Sequence, residues 1–353
     1  MSVPHPEEDP RWMLRALAQA RLGIGLTSPN PAVGSVIVAE GQIIGEGYHH
    51  KAGQPHAEIE AIRDAQARHP HLLEGATIYV TLEPCSTQGR TGPCTGAIQA
   101  AGIKRVVWGA QDPNSQHQGR ALQVLTAAGI VVTTGVLVEE CEKVLRPFAK
   151  WITTGLPYVI AKAGQSLDGR ITRPPGESQW ITNEAARLHG RGLRAQVDAI
   201  LVGAETVRQD NPKLTLRDGS APQSKEQPWR VVLTRSGQLP ESAHLFTDEF
   251  KERTLILRDL PFHEVLRTLG ERGIMSVLVE GGGNILDQAF QSQAVDEVFW
   301  YIAPRLCGTG VPSLGGSPWV ASIPLDQVQI LPIGDNVCIH GRPIWPNKEV
   351  SQS

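Results

Sequence analysis

The alternation of apolar and polar positions divides the first 150 residues into helices and strands that follow one another in turn. Apolar residues at helical spacing predict a helix over residues 11–22, and β-branched runs predict strands at 33–38 and 105–108. The other predicted elements of this part are helices at 58–68, 95–101 and 121–128 and strands near 43–44, at 77–81 and at 130–133. Such alternation indicates a sheet with helices on its faces.

A cluster of Gly and Pro interrupts this pattern between Arg146-Pro147 and residues 155–157, and it marks a predicted boundary between two domains. Beyond it the pattern restarts with strands at 158–163, 199–202, 231–233, 254–257, 276–279 and 297–302 and with helices at 183–194, at 262–269 and from 284. No internal repeat relates the two halves. The expected organisation is therefore two different α/β domains, residues 1–150 and 157–353.

Composition and charge narrow the class of protein. With 41% hydrophobic and 20% charged residues, the 353-residue chain is expected to fold, and its length suits two domains. The net charge of −3 gives no basic footprint for nucleic acid, and no apolar run reaches the roughly 18 residues of a membrane span. The amino terminus lacks the pattern of a signal peptide, and five cysteines do not suggest a disulfide framework. These features favour a cytoplasmic protein that binds neither membranes nor nucleic acid.

The sharpest chemical signal combines His56-Ala57-Glu58 with Pro84-Cys85 and, nine positions later, Cys94. Zinc-dependent base deaminases carry H-x-E followed by P-C-x-x-C, in which one His and two Cys bind Zn²⁺ and the Glu moves protons. Three protein ligands leave the fourth tetrahedral position open to water, whose pKa the metal lowers towards about 7. Glu58 would take the water proton and deliver it to the ring nitrogen and the departing amine.

Each half of this pattern also has a simpler interpretation. An isolated H-x-E is usually a surface accident, and an isolated Cys pair is usually two buried thiols. Their order, the Pro before Cys85 and their positions at predicted helix starts favour the metal site. A purely structural zinc site is disfavoured because no fourth Cys or His lies nearby at ligand spacing. Cys141, Cys307 and Cys338 are interpreted as ordinary buried thiols.

Further segments of the first half accompany the zinc motif: Thr27-Ser28-Pro29-Asn30-Pro31, Val33-Gly34, Gly45-Glu46-Gly47-Tyr48-His49, Gly53-Gln54-Pro55, Leu82-Glu83 and Gly89-Arg90-Thr91-Gly92-Pro93. Together they resemble the bifunctional deaminase–reductase family of riboflavin biosynthesis. The long insert between the cysteines distinguishes that family from tRNA-adenosine and cytidine deaminases. The resemblance implies a cytidine-deaminase-like α/β/α sandwich in the first half.

The resemblance also implies a substrate, a diamino-hydroxypyrimidine with a phosphoribosylamino arm, which is deaminated to the uracil analogue. Asn30, His49 and Arg90 are implied to hold the ring and the phosphate. The sequence departs from the family pattern at Thr87-Gln88, where a His is common, and at residues 115–118, which follow a retained Asp112-Pro113-Asn114. One expected substrate contact is therefore missing from its usual position.

The second half offers a weaker local signal, three glycines between a predicted strand and a predicted helix at Glu280-Gly281-Gly282-Gly283-Asn284. Glycines let a phosphate approach the backbone, and a helix amino terminus favours negative charge. The order is not G-x-G-x-x-G, so the standard dinucleotide fingerprint is absent and a simple tight turn fits equally well.

The family resemblance continues in the second half through residues 161–163, 166–170, 176–182, 194–195, 210–215 and 280–282. It implies a dihydrofolate-reductase-like α/β domain that uses NADPH to reduce the ribosyl arm to a ribityl arm at C1′. The implied cofactor-binding residues are Gly164, Trp180, Thr206, Asp210, Gly282, Gly283, Asn284, Ile285, Leu286, Asp287 and Gln288. The implied substrate-binding residues are Lys162, Ser178, Arg194, Leu214, Arg217 and Glu280. Arg235 or Ser236 is a candidate, by analogy, for the 2′-phosphate of the nucleotide.

These observations favour a bifunctional enzyme with one Zn²⁺ per chain and NADPH, which acts on a small phosphoribosyl pyrimidine. The sequence does not fix the oligomeric state, and the tendency of the family to associate implies a homo-oligomer. The alternatives are a deaminase of the same pathway with an inactive reductase domain, a nucleic-acid-editing deaminase, and a binding module that keeps zinc for stability. An editing deaminase would need a basic, aromatic groove, which a mildly acidic chain with 5% aromatic residues does not suggest.

Overall fold

The chain folds into two compact units, Met1–Gly155 and Leu156–Ser353. The computed structural model describes residues 6–87, 92–177, 179–217, 224–315, 319 and 321–346. Each unit has its own sheet and its own buried apolar core. Both units mix strands and helices, and the predicted α/β class is confirmed.

The first unit is a five-stranded sheet covered by helices, counted over its described residues. Its elements are α1 (Asp9–Leu22), β1 (Gly34–Ala39), β2 (Gln42–Tyr48), α2 (Ala57–Arg68), β3 (Thr77–Leu82), α3 (Cys94–Ala100), β4 (Arg105–Ala110), α4 (Arg120–Ala127), β5 (Val131–Thr134) and α5 (Val138–Thr154). The strand order is β2-β1-β3-β4-β5, in which β1 is antiparallel to both neighbours and β3, β4 and β5 are parallel.

The central strands of this sheet are covered on both faces. Every residue of β1, β3 and β4 is buried, as expected for apolar runs without polar alternation. Helix α1 packs on β1 and against α5, while α2 packs on β2 and against α3. The sheet therefore lies between helical layers, which places the start of α2 and the end of β3 close to each other.

The sequence pattern predicted a break from Arg146-Pro147 onwards, but α5 continues through Pro147 to Thr154. Cys141 and Leu145 on this helix are buried, and α5 packs on β4. The approach is so close that a Cβ at Gly109 would lie 2.1 Å from Cys141 Sγ. Packing along the helix outweighs the one hydrogen bond that proline removes. The helix ends at Gly155, whose φ of 73° favours glycine.

The second unit is built around an eight-stranded sheet, again counted over the described residues. Its strands are β6 (Tyr158–Ser166), β7 (Ala199–Gly203), β8 (Trp229–Thr234), β9 (Thr254–Arg258), β10 (Ser276–Val279), β11 (Glu297–Ala303), β12 (Leu325–Ile333) and β13 (Asn336–Pro343). Its helices are α6 (Glu184–Gly192), α7 (Ala204–Asp210), α8 (His244–Thr247), α9 (Phe262–Glu271) and α10 (Gly283–Gln291).

The strand order of this sheet is β12-β13-β11-β6-β10-β7-β8-β9. The strands from β11 to β9 are parallel, and β12 and β13 extend the sheet as an antiparallel pair. The carboxyl ends of β7, β8 and β10 therefore meet at one edge, where ligands bind in open α/β sheets. None of the helices in the described part of the chain has both the length and the apolar character needed to cross a membrane.

Candidate active sites

Three predicted metal ligands converge in the first unit from two helix starts and one strand end. His56 immediately precedes α2, Cys94 opens α3, and Cys85 lies three residues beyond β3. Hydrogen bonds from the Thr95 amide to the Cys85 carbonyl (3.2 Å) and from the Cys94 amide to Cys85 Sγ (3.3 Å) join the start of α3 to the strand end.

The spacing of the three ligand atoms fits a zinc ion. His56 Nδ1 lies 3.5 Å from Cys85 Sγ and 3.3 Å from Cys94 Sγ, and all three ligand atoms lie within 4.8 Å of one another. Tetrahedral Zn²⁺ with bonds of about 2.1 Å to nitrogen and about 2.3 Å to sulfur places these atoms roughly 3.5 Å apart. The cluster can therefore hold Zn²⁺ without rearrangement and leaves a fourth position for water.

Protonation within the cluster favours a thiolate. A hydrogen bond from the Cys94 thiol, aided by His56, lowers the pKa of Cys85 to about 4. The same bond raises the pKa of Cys94, which holds the shared proton, and the bond to Cys85 raises the pKa of His56 to about 9. A thiolate is the form of cysteine that binds metals.

Glu58 lies beside the ligands on the wall of a cavity of about 610 Å³. It occupies the first turn of α2 and is only 3% exposed. Burial raises the pKa of its carboxyl group, and the charge of His56 opposes that shift. A buried carboxyl that faces a cavity next to a metal cluster is suited to exchanging protons with a bound reactant.

Asn30 and His49 lie on the wall of the same cavity, as expected from the family resemblance. His49 Nδ1 lies 2.9 Å from the Pro55 carbonyl, and its Nε2 lies 3.0 Å from Asn30 Nδ2. Since a carbonyl can only accept, Nδ1 donates and Nε2 accepts from the amide. Burial lowers the pKa of His49, which is consistent with a neutral ring. The third predicted residue, Arg90, lies outside the described residues.

Several lining residues were not identified from the sequence as site residues: Glu83, Thr87, Asp112, Asn114, His117, Phe148, Trp151 and Ile152. Phe148, Trp151 and Ile152 belong to the part of α5 that the sequence pattern missed. Glu83 directly precedes Pro84-Cys85 and is buried. Its sequence signal was an acidic residue directly after a predicted strand, and this signal could have identified it as a site residue. The remaining residues come from two loops without a periodic pattern.

In the second unit, Glu280 connects the predicted substrate residues Arg194 and Lys162. The Arg194 guanidinium donates two hydrogen bonds to the Glu280 carboxylate, at 2.6 and 3.0 Å, and Lys162 Nζ lies 3.8 Å from it. Although burial favours the neutral acid, the charges of Arg194 and Lys162 lower the pKa of Glu280 to about 2. The guanidinium of Arg194 is therefore occupied by Glu280. Of the two cations, Lys162 is the more exposed.

A second cavity, of about 890 Å³, lies at the carboxyl edge of the sheet in this unit. It is lined by the ends of β7 and β8 and by the start of α10, and by the predicted cofactor residues Thr206, Gly282, Gly283, Asn284, Ile285 and Gln288. Arg235 and Ser236, the candidates for the 2′-phosphate, also line it. The structure thus brings most of the predicted nucleotide residues to one surface.

Gly282 leaves room for a ligand at the start of α10. An added Cβ there would meet nothing closer than Thr206 Oγ1 at 3.9 Å, whereas a Cβ at Gly281 would lie 2.6 Å from Ile285 Cβ. Gly281 thus permits close packing between the chain and α10, and Gly282 opens the backbone to the cavity. An open backbone at the amino terminus of a nine-residue helix fits the phosphates of a dinucleotide.

Three predicted residues point into the core of the unit. Leu286 and Asp287 are buried on the inner face of α10, where Asp287 accepts a hydrogen bond of 3.0 Å from Trp319 Nε1. Leu214 packs in an apolar cluster with Val207 and other residues. None of the three lines the described wall of the cavity. Leu286 and Asp287 belong to the buried face of α10, and Leu214, which is not on that helix, belongs to the apolar cluster.

The remaining described residues of the prediction do not line this cavity. Trp180 is 55% exposed and stacks with the Arg187 guanidinium at 4.9 Å, and Asp210 accepts a hydrogen bond of 2.9 Å from Gln179. Gly164 on β6 faces Thr182, and Arg217 is exposed. Ser178 lies outside the described residues.

Each of the two units matches a different known domain family. Residues 6–110 match the family described as the zinc-binding region of cytidine and deoxycytidylate deaminases, and residues 157–339 match the RibD C-terminal domain. The first match contains all three metal ligands and Glu58. The second contains Lys162, Arg194, Glu280 and the glycines before α10.

Whole-chain comparisons give similar proteins that align with this chain over nearly their whole length. The chain is 40% identical to the riboflavin biosynthesis protein RibD of Escherichia coli over 94% of this chain and 99% of that protein. It superimposes on RibD of Acinetobacter baumannii with a TM-score of 0.87 and 35% identity, covering 96% of this chain and 99% of that one. The TM-score is 0.84 and the identity 34%, with the same coverage, for a diaminohydroxyphosphoribosylaminopyrimidine deaminase/5-amino-6-(5-phosphoribosylamino)uracil reductase from Thermotoga maritima. The chain belongs to the RibD family of riboflavin biosynthesis proteins.

Proposed function

We propose that the chain is a bifunctional enzyme of riboflavin biosynthesis. The first unit hydrolytically deaminates 2,5-diamino-6-(5-phosphoribosylamino)pyrimidin-4-one, and the second reduces the ribosyl arm of the product to ribityl with NADPH. The observation that carries the proposal is the His56, Cys85 and Cys94 cluster beside buried Glu58 on one cavity wall. Zinc-dependent base deaminases use this set of groups.

In the deaminase site each side chain has a distinct task. Bound Zn²⁺ supplies the Lewis acidity that makes water reactive at neutral pH. Glu58 would accept one proton from the attacking water and pass it to the ring nitrogen. It would then carry the second proton of that water to the amine, which leaves as ammonia while the carbonyl forms. Asn30 and His49, fixed by their mutual hydrogen bond and by the Pro55 carbonyl, orient the ring. The orientation matters because attack requires the amino-bearing carbon to face the metal.

In the reductase site, the second cavity holds the nucleotide. The backbone at Gly282 and Gly283 receives its phosphates, Arg235 or Ser236 meets the 2′-phosphate, and NADPH supplies the hydride. Glu280 holds Arg194 and Lys162 in place, and the partly exposed ammonium of Lys162 is left to meet the substrate. The sequence predicted this division of tasks between residues 1–150 and 157–353. We propose the same division with the first domain extended through Gly155, because Trp151 and Ile152 line the deaminase cavity.

Three measurements test both activities on the unaltered protein. Metal analysis should give one zinc per chain, incubation with the diamino pyrimidine should release ammonia, and the deaminated product should then consume NADPH at 340 nm. Glu58→Gln should abolish ammonia release while zinc stays bound. If ammonia release persists in Glu58→Gln, the assignment of Glu58 is wrong. If NADPH is not consumed, the protein is a deaminase with an inactive second unit.

The location and assembly of the protein are part of the same proposal. Cytoplasmic location is supported by five cysteines that form no disulfide, two of which lie in the metal cluster. Self-association stays a prediction from the family resemblance, and light scattering on the purified protein would test it.

A further inference from the structure

A loop of the first unit, residues 112–119, forms part of the wall of the deaminase cavity. Asp112, Asn114 and His117 on this loop line the cavity, and so does Thr87 from the segment that follows Cys85. His117 Nδ1 lies 3.2 Å from Thr87 Oγ1, a hydrogen bond that joins the two segments across 30 positions of sequence. The His117 ring is therefore fixed at the cavity wall by a residue close to the metal cluster.

The buried carboxylate of Glu83 holds both ends of this loop. It accepts hydrogen bonds from the Gly119 amide at 3.0 Å, the Ala121 amide at 3.1 Å and the Asp112 amide at 3.4 Å. Within the loop, the His117 amide donates to the Asn114 carbonyl at 2.8 Å. A loop tied at both ends to a buried residue beside Pro84-Cys85 is preorganised relative to the metal cluster, as a recognition element must be.

One nitrogen of the His117 ring is available to a ligand. Nδ1 is bonded to Thr87, but Nε2 has no hydrogen-bond partner among the residues that the structure describes. When the Thr87 hydroxyl donates to Nδ1, the ring proton resides on Nε2. We propose that His117 is a substrate-specificity residue of the deaminase site and that its Nε2–H binds a hydroxyl of the sugar arm.

The charges of the cavity favour a sugar hydroxyl over the phosphate as the group that His117 binds. Glu58, Glu83 and Asp112 contribute three carboxyl groups to the wall, and none of the described lining residues is Lys or Arg. A phosphate dianion next to Asp112 would be repelled, whereas an uncharged hydroxyl can both accept from an imidazole and donate to a carboxylate. The proposal rests on the function proposed above, because the sugar arm belongs to that substrate.

Two substitutions at one position separate recognition from structural support. In His117→Gln the amide nitrogen falls near the place of Nε2, and in His117→Asn it falls near the place of Nδ1. Binding is measured by calorimetry in zinc-loaded Glu58→Gln protein, with the phosphorylated pyrimidine and with its phosphatase-treated form. We expect His117→Ala and His117→Asn to raise the Kd about tenfold, the worth of one hydrogen bond, and His117→Gln to raise it less than threefold. His71→Ala, at an exposed position outside the cavity, is the matched control.

Every outcome decides the proposal. The proposal is supported if the substitutions weaken binding of the phosphorylated and dephosphorylated ligands equally and if His117→Gln binds more tightly than His117→Asn. A loss that disappears on dephosphorylation assigns His117 to the phosphate and overturns it. If His117→Asn binds the ligand more tightly than His117→Gln does, the bond of Nδ1 to Thr87 is what matters rather than contact of Nε2 with the ligand, and the proposal is overturned. Unchanged affinities in all variants also overturn it. Failure of the proposed deaminase function would instead appear as absent ammonia release by the protein with unaltered Glu58 and His117.

Discussion

The substitution Gly282→Ala tests whether the start of α10 receives the phosphates of NADPH. The added methyl group would meet no protein atom closer than 3.9 Å, so the fold can accept it. Gly282 has φ −64° and ψ 171°, values that alanine adopts without strain. The cost to stability is limited to the poorer helix cap, about 1 kcal/mol or less. The methyl group occupies the space in which a phosphate would approach the backbone.

The expected loss of affinity follows from the hydrogen bonds that the methyl group prevents. A phosphate oxygen bound by a backbone amide gains roughly 1.5–3 kcal/mol, because the bond is assisted by charge. Loss of one such bond raises the Kd for NADPH about 10- to 100-fold. Fluorescence titration with NADPH measures the Kd, and thermal unfolding checks that the protein is folded. Wild-type affinity in folded Gly282→Ala would refute the placement of the phosphates.

Two other glycines of the same unit serve as controls. A Cβ at Gly192 would meet nothing within 4 Å, and Gly192 does not line the second cavity, so Gly192→Ala should leave both affinity and stability nearly unchanged. A Cβ at Gly283 would lie 2.2 Å from the Pro312 carbonyl oxygen, so Gly283→Ala should destabilise the unit. Loss of NADPH affinity without loss of stability is thus expected for Gly282→Ala alone, no change for Gly192→Ala, and loss of stability for Gly283→Ala.

Three further predictions concern charge and metal. Since the pKa of Glu280 is lowered to about 2 from its ordinary 4.5, the stability that its ionised form contributes is full above pH 4.5 and is lost as the pH falls towards 2. Glu280→Gln should therefore cost about 3 kcal/mol of unfolding free energy at pH 7 and less at pH 4, and a difference in urea denaturation that does not narrow on acidification would contradict this. Arg235→Ala should raise the KM for NADPH but not for NADH, and equal effects on both would exclude a 2′-phosphate contact. A strong chelator should abolish ammonia release but not NADPH consumption with deaminated substrate, and loss of both would disprove separate sites.

Local patterns in the sequence were enough to predict much of the fold and the metal cluster. The strands β1, β3 and β4 are rich in apolar and β-branched residues, and the structure buries every residue of all three. His56 and Glu58 belong to one short motif at the start of α2, so their proximity requires no long-range information. The predicted cytidine-deaminase-like and dihydrofolate-reductase-like domains are confirmed by the two domain-family matches and by the whole-chain superpositions.

Features that depend on contacts distant in sequence were not predictable in this way. Strand β12 is half-buried or exposed along its whole length and lacks the alternation that identifies a strand, and its pairing with β13 alone defines it. The bonds of Glu83 to Gly119 and Ala121 join positions 36 and 38 residues apart. No periodicity in either segment encodes them. Leu286 and Asp287 were grouped with their neighbours by resemblance, although the helix turns them inward.

The course of α5 has a practical consequence for dissecting the protein. Phe148, Trp151 and Ile152 form part of the deaminase cavity wall, and Trp151 and Ile152 lie beyond residue 150, where the sequence pattern placed the end of the first domain. A fragment that stops at 150 would cut this helix before its last turn and open one side of the substrate cavity. A fragment designed to carry deaminase activity alone should therefore extend at least through Gly155, the natural terminus of that helix.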